Sequence, residues 1–193
     1  PSKNSKNKSI KQIVDEIPLY LKQNKTLFME IVIILGLIFF NGILSMSEIA
    51  MVSARKSRLE TAAKKGSKTA KTALRLANEP DRFLSTIQIG ITLIGILTGL
   101  YSGEALAGDL ARWLETIGIP QAHSLTLAKG IIVILVTYLT LILGELVPKH
   151  LGMNAPEKIA RLIARPMEVL SKIASPFVWL LSASTQAVIR LTG

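Results

Sequence analysis

Thr137-Tyr-Leu-Thr-Leu-Ile-Leu-Gly144-Glu145-Leu-Val-Pro148-Lys149 closes a long apolar run with a carboxylate and, three residues later, a proline. Between Gly130 and Val147 the only charge is Glu145. At a rise of ~1.5 Å per helical residue, Glu145 lies about 22 Å from the start of that run. The hydrocarbon core of a bilayer is ~30 Å thick, so a span beginning near Gly130 holds the carboxylate inside the membrane. A charge there costs at least ~2.5 kcal/mol on insertion scales, and it is read as functional, with a partner to be found. Pro148 sharpens this. Lacking an N–H, it cannot donate to the Gly144 carbonyl as the next helical turn would. A carboxylate and a backbone oxygen, both hard ligands, therefore stand side by side.

Working outward, the rest of the chain reads as an all-α integral membrane domain. Apolar residues make up 49% of the 193, and several charge-poor runs approach twenty residues. The first span covers about 27–53, with Glu48 its only charge between Ile31 and Ala54. The second covers about 83–103 and the third about 125–147. Ahead of them, 1–26 reads as a Lys/Ser/Asn-rich tail and a short interfacial helix broken at Pro18. After Lys149, two helical patterns, Pro156–Leu170 and Ser171–Leu191, read as cytoplasmic juxtamembrane helices. A fourth span over 173–190 is the alternative, opposed by Pro176 and its polar neighbours.

Net charge is +10. The basic residues flank apolar runs and form no nucleic-acid module, so loops obeying the positive-inside rule account for them without a nucleic-acid partner. The loop 55–82 is rich in Lys and Arg, whereas 104–129 has only Arg112 and Lys129. That asymmetry puts 55–82 and the C-terminal segment inside and the N-terminus outside a multi-pass chain in the plasma membrane. The absence of cysteine excludes disulfides, thiolate metal sites and Cys nucleophiles. His123 and His150 are isolated. No Ser/His/Asp arrangement, HExxH motif or phosphate loop points to an enzyme.

Three polar groups fall at one depth. On the first span Asn41, Ser45 and Glu48 share a helical face at i, i+4 and i+7. On the second, Ser85, Gln88, Thr92, Gly95 and Gly99 form a stripe of polar and small residues, and Gly90 lies in the same turn region. Small residues on such a stripe are expected to let helices approach closely. With Gly144, Glu145 and Pro148 on the third span, these residues can line one interior. All the donors are oxygen or amide. Oxygen-only ligation suits Mg²⁺, Ca²⁺, Mn²⁺ or Na⁺ and argues against structural zinc or copper.

Asn41-Gly42-Ile-Leu-Ser45-Met-Ser47-Glu48 and Gly144-Glu145-Leu-Val-Pro148-Lys149 resemble the matching motifs of the cyclin-M/CorC family of membrane magnesium exporters, over about residues 27–190. Many members carry an asparagine-bearing Gly-Asn motif in the second span. Here Gln88-Ile-Gly90-Ile91-Thr92-Leu-Ile-Gly95 stands there, similar to a bacterial Gln-x-Gly-x-Thr branch. The resemblance implies a homodimer that exports Mg²⁺, with Na⁺ coupling and an ion site at Ser45 and Glu145. On this reading Glu145 is the charged ligand, and Ser45 and the Gly144 carbonyl are further ligands. Asn41, Gln88 and Thr92 line the pocket, and Glu48 is a second carboxylate or a gate near the cytoplasmic mouth. Members usually continue into a cytosolic nucleotide-binding CBS pair, so 27–193 is expected to be the membrane part of a longer protein. The rival expectation is a membrane anchor and scaffold for that cytosolic domain, without an ion site of its own.

Overall fold

A computed structural model describes the backbone of residues 3–192 and the side chains of residues 26–191. The elements are α1 (Lys3–Ser53), α2 (Lys56–Lys64), α3 (Lys68–Asn78), α4 (Pro80–Ala105), α5 (Ala107–Thr116) and α6 (Gln121–Leu141). A π-helical turn (Ile142–Leu146), α7 (Val147–Asn154) and α8 (Pro156–Thr192) complete the chain. No strand occurs among the described residues. Among the described residues, three helical stretches are long and apolar enough to cross a membrane: Thr26–Ser53, Pro80–Ala105 and Gln121–Asn154. They match the expected spans, and the segment 173–190 does not join them.

Two helices are longer than the sequence suggested. α1 runs without interruption through Pro18, where a separate short helix was expected to end. Likewise α8 is a single helix of 37 residues with Pro166 and Pro176 inside it, in place of two. A proline in a helix removes one backbone hydrogen bond and strains one turn. In α8 the neighbouring face, Ala160, Ile163, Ala164 and Met167, is buried, so packing offsets that loss. The segment 104–129 also contains a helix, α5, that its turn signals alone did not reveal.

The short connections follow ordinary capping chemistry. α2 ends on Gly66 at φ 91°, and α5 ends on Gly118 at φ 99°. In both, the residue after the glycine donates its N–H five residues back, to the third residue from the helix end: Ser67 to Ala62 and Ile119 to Leu114, at 3.1 Å each. This is the left-handed glycine stop that satisfies the last carbonyls. Ser67 then caps α3, its Oγ accepting from the Ala70 N–H at 3.2 Å.

The chain forms two compact units, 1–36 with 99–136, and 37–98 with 137–193. In the first, Ala107, Ala111 and Leu114 of α5 pack with Ala128 of α6, and Ser124 Oγ donates to Glu115 Oε1 at 2.7 Å. In the second, Leu44, Leu59, Ala73, Phe83, Ile87 and Ala164 anchor a core drawn from α1, α2, α3, α4 and α8. Arg75 ties α3 to Glu168 of α8 at 2.7 Å. All the expected site residues belong to this second unit.

Candidate functional site

The site begins with a close approach of two helices. A Cβ added to Gly42 of α1 would stand 2.9 Å from Pro148 Cγ and 3.2 Å from the Leu143 carbonyl oxygen. At Gly144 it would meet Asn41 Nδ2 and the Ile38 carbonyl oxygen, both at 3.2 Å. At Gly152 it would collide with Ile49 Cγ2 and come within 2.8 Å of the Met46 carbonyl oxygen. Contacts advance together on both sides, Ile38 to Gly144 and Ile49 to Gly152, so α1 and the Ile142–Asn154 column run parallel. Glycine permits this backbone proximity, which is how helices gain packing energy where water supplies none. Gly90 of α4 is a packing residue of the same kind, 2.7 Å from Leu44 Cδ1 once a Cβ is added.

Within this contact, Asn41 Nδ2 donates to the Gly144 carbonyl at 3.0 Å. The carbonyl that Pro148 cannot reach is therefore met by an amide from another helix. The local backbone is a π turn, in which the Val147 N–H reaches back five residues to the Ile142 carbonyl. Such a turn is a common consequence of one residue too many for the α ladder, and it recurs at functional sites. Asn41 and Ser45 are both buried, the latter completely. Among the described residues, Asn41 Oδ1, Ser45 Oγ and Thr140 Oγ1 find no hydrogen-bond partner. Burying a polar atom without a partner costs ~1–3 kcal/mol each. Three such oxygens in one unit, one of them on the amide that holds Gly144, are the chemical signature of the site.

Glu145 and Glu48 are joined by a residue that sequence reasoning treated as a flank. Lys149 Nζ lies 2.7 Å from Glu145 Oε1 and 3.5 Å from Glu48 Oε2. Each of these three side chains is between a quarter and about a third exposed. The Glu145/Lys149 spacing, i to i+4 with the acid first, was the available signal. Thr140 was missed too, because a threonine in an apolar run usually bonds its own helix.

The remaining expected residues lie around a groove of about 710 Å³. Glu48, Ser85, Gln88 and Thr92 line it with Leu181 and Thr185 of α8. Gln88 and Thr92 are exposed. The expected single interior is thus resolved into a buried cluster of Asn41, Ser45 and Gly144, and an open groove carrying the α4 residues, with Glu48 reaching both Lys149 and the groove. Gly95 and Gly99 have no atom within 4 Å of an added Cβ. The close approach expected of them belongs instead to Gly42, Gly90, Gly144 and Gly152. No cluster of three His, Cys, Asp or Glu occurs among the described residues, so neutral oxygens predominate.

Residues 32–193 match the family model described as the cyclin M transmembrane N-terminal domain. The chain is similar to a UPF0053 protein of Synechocystis, 48% identical over 165 residues, covering 86% of this chain and 37% of that protein. It is also similar to the UPF0053 protein YhdT of Bacillus subtilis, 32% identical over 76% of this chain and 32% of that protein. The polyamine export protein of Escherichia coli is 30% identical over 83% of this chain and 36% of its own length. The chain thus spans about a third of the length of these relatives.

Proposed function

The chain belongs to the cyclin M transmembrane N-terminal domain family, and on that premise we propose that it is the membrane part of a divalent-cation exporter whose cargo is Mg²⁺. The observation that carries this reading is the set of buried oxygens, Asn41 Oδ1 and Ser45 Oγ, left without partners where Asn41 holds the Gly144 carbonyl. A cation satisfies such acceptors, and Mg²⁺ accepts only hard oxygen ligands in near-octahedral order. Ser45, the Gly144 carbonyl and Glu145 are the ligands in this reading, and Asn41 fixes the carbonyl's direction. Glu48, nearest the cytoplasmic end of its span, admits the ion. The basic loop 55–82 and the C-terminus face the cytoplasm, the N-terminus faces outward, and Na⁺ moving inward drives export. Single cysteines at Ser67 and Ala122 are expected to label from the inside and the outside respectively with an impermeant thiol reagent, and the reverse pattern would reject that orientation.

Half-buried Ser85 and exposed Gln88 and Thr92 need cover from lipid, and a second copy of the chain supplies it in this reading. The proposal therefore includes a homodimer, followed in the full-length protein by a cytosolic CBS-type domain.

The test is a melting series in MgCl₂ at fixed pH and ionic strength. A ligand at a hundredfold its Kd stabilises the folded state by ~2.7 kcal/mol. Wild type is expected to gain, Ser45→Ala to gain less, and Glu145→Gln, which keeps shape but loses charge, to gain nothing. Equal stabilisation of wild type and Glu145→Gln would reject the site and favour a scaffold role. One observation favours a second cargo: the groove that Glu48 lines is also lined by Leu93 and Ile96, apolar walls suited to a methylene chain between amines. A polyamine, as the name of the Escherichia coli relative suggests, fits that pattern. Stabilisation by spermidine that Glu48→Gln removes, with none by Mg²⁺, would decide for it.

A further inference from the structure

Lys149 does more than neutralise a neighbour. Its ammonium is shared between two carboxylates from different helices, Glu145 at 2.7 Å and Glu48 at 3.5 Å. Lys149 follows directly on Pro148, which is buried against Gly42, so the backbone that carries the side chain is held in place. The ammonium itself sits on a flexible four-carbon stem and is partly exposed. A fixed root with a mobile charged tip is the arrangement of a tethered ion.

Resting on the cation-exporter reading above, we infer that Lys149 is an internal competitor that occupies the Glu145/Glu48 pair between cargo ions and sets the site's preference for divalent over monovalent cations. The charge balance gives the reason. Two carboxylates and one ammonium leave the cluster with a single negative charge. A monovalent ion that displaces the ammonium merely replaces one positive charge by another, and gains no Coulombic energy to offset its lost hydration. A dication that displaces it brings one further positive charge to the same two carboxylates. It therefore gains attraction where the monovalent ion gains none. The lysine swings into the groove or toward the headgroups when displaced, so both states keep the ammonium solvated. Lys149 acts through Glu145 and Glu48 and is a positioning residue.

The experiment compares the full-length wild type with Lys149→Gln and Lys149→Arg in detergent, reading the MgCl₂ midpoint of thermal stabilisation with and without excess NaCl. Lys149→Gln is expected to bind Mg²⁺ about tenfold tighter, equivalent to ~1.4 kcal/mol, and to become strongly sensitive to Na⁺ competition. Lys149→Arg, which keeps the tethered charge, is expected to behave as wild type. A merely structural ion pair would lower the melting temperature of Lys149→Gln without moving the midpoint. An unchanged or weakened midpoint in that variant overturns the inference and leaves the Mg²⁺ site standing. No Mg²⁺ response in any of the three proteins overturns the site reading and the inference with it. Should Lys149→Gln not fold, amine acylation of wild type, followed residue by residue by mass spectrometry, decides instead. Saturating Mg²⁺ is expected to raise labelling at Lys149 several-fold, and unchanged or reduced labelling rejects displacement.

Discussion

The glycines of the α1 contact and those of the α4 stripe look alike in sequence and differ in everything they touch. Gly42, Gly144 and Gly152 leave no space for a methyl group, whereas Gly95 leaves open space on the side where one would go. The polar residues divide the same way: Asn41 and Ser45 are buried, and Gln88 and Thr92 are exposed. The comparison teaches that helical periodicity identifies a face but not its neighbour. Small residues mark either a helix pressed against another or a surface kept open, and only the partner's atoms distinguish the two.

Breaking the tight contact is expected to have the largest effect. Gly152→Leu forces a branched side chain against Ile49 and the Met46 carbonyl, and both cannot retreat together. Overpacking of this kind costs ~3 kcal/mol or more where backbone is the obstacle. The variant is expected to aggregate or to lose its cooperative melt in size-exclusion and thermal assays; a wild-type melting temperature would mean that α7 does not lie on α1. Asn41→Ala acts next. It removes the donor to Gly144 but leaves the packing intact, and interhelical hydrogen bonds in membranes are worth about 0.6–2 kcal/mol. A drop of a few degrees in melting temperature is expected, accompanied by weaker Mg²⁺ stabilisation. If the two losses separate, Asn41 holds the turn without serving the site. Gly95→Leu should be smallest. With no atom in its way, its effect on the protomer's stability is expected within ~0.5 kcal/mol, while crosslinking between two copies falls if α4 is the dimer face. A destabilised protomer would contradict the open surface.

The three spans were legible because their signal is composition. A run of about twenty apolar residues has few alternatives in a chain this poor in charge. The Gly144-Glu145-Pro148 stretch stood out as a candidate because each residue breaks a rule of the membrane around it. Lys149 was equally visible four residues after Glu145, yet the sequence could not tell a flanking cation from one that reaches a second helix. Nor could it foresee that α1 runs on through Pro18, or that the patterns Pro156–Leu170 and Ser171–Leu191 join in one helix. Whether a proline ends a helix depends on whether the surrounding packing outweighs one lost hydrogen bond, and that balance is tertiary. The Gly144 carbonyl shows the same limit: Pro148 predicted a freed oxygen, and the amide that claims it lies 103 residues away.

The π turn at Ile142–Leu146 can be regarded as a phase shift stored in the third span. Because the wider turn takes up one extra residue, everything downstream lags by as much as ~100° of rotation and ~1.5 Å of rise behind the place that an uninterrupted α-helix of the same sequence would give it. Lys149 and Gly152 lie downstream, whereas Thr140 lies upstream. The same sequence wound as an uninterrupted α-helix would keep its composition and its hydropathy. It would nevertheless carry the ammonium away from Glu48 and present a different side chain to Met46. The alignment of Lys149 and Gly152 with α1 therefore depends on the one residue that the turn absorbs.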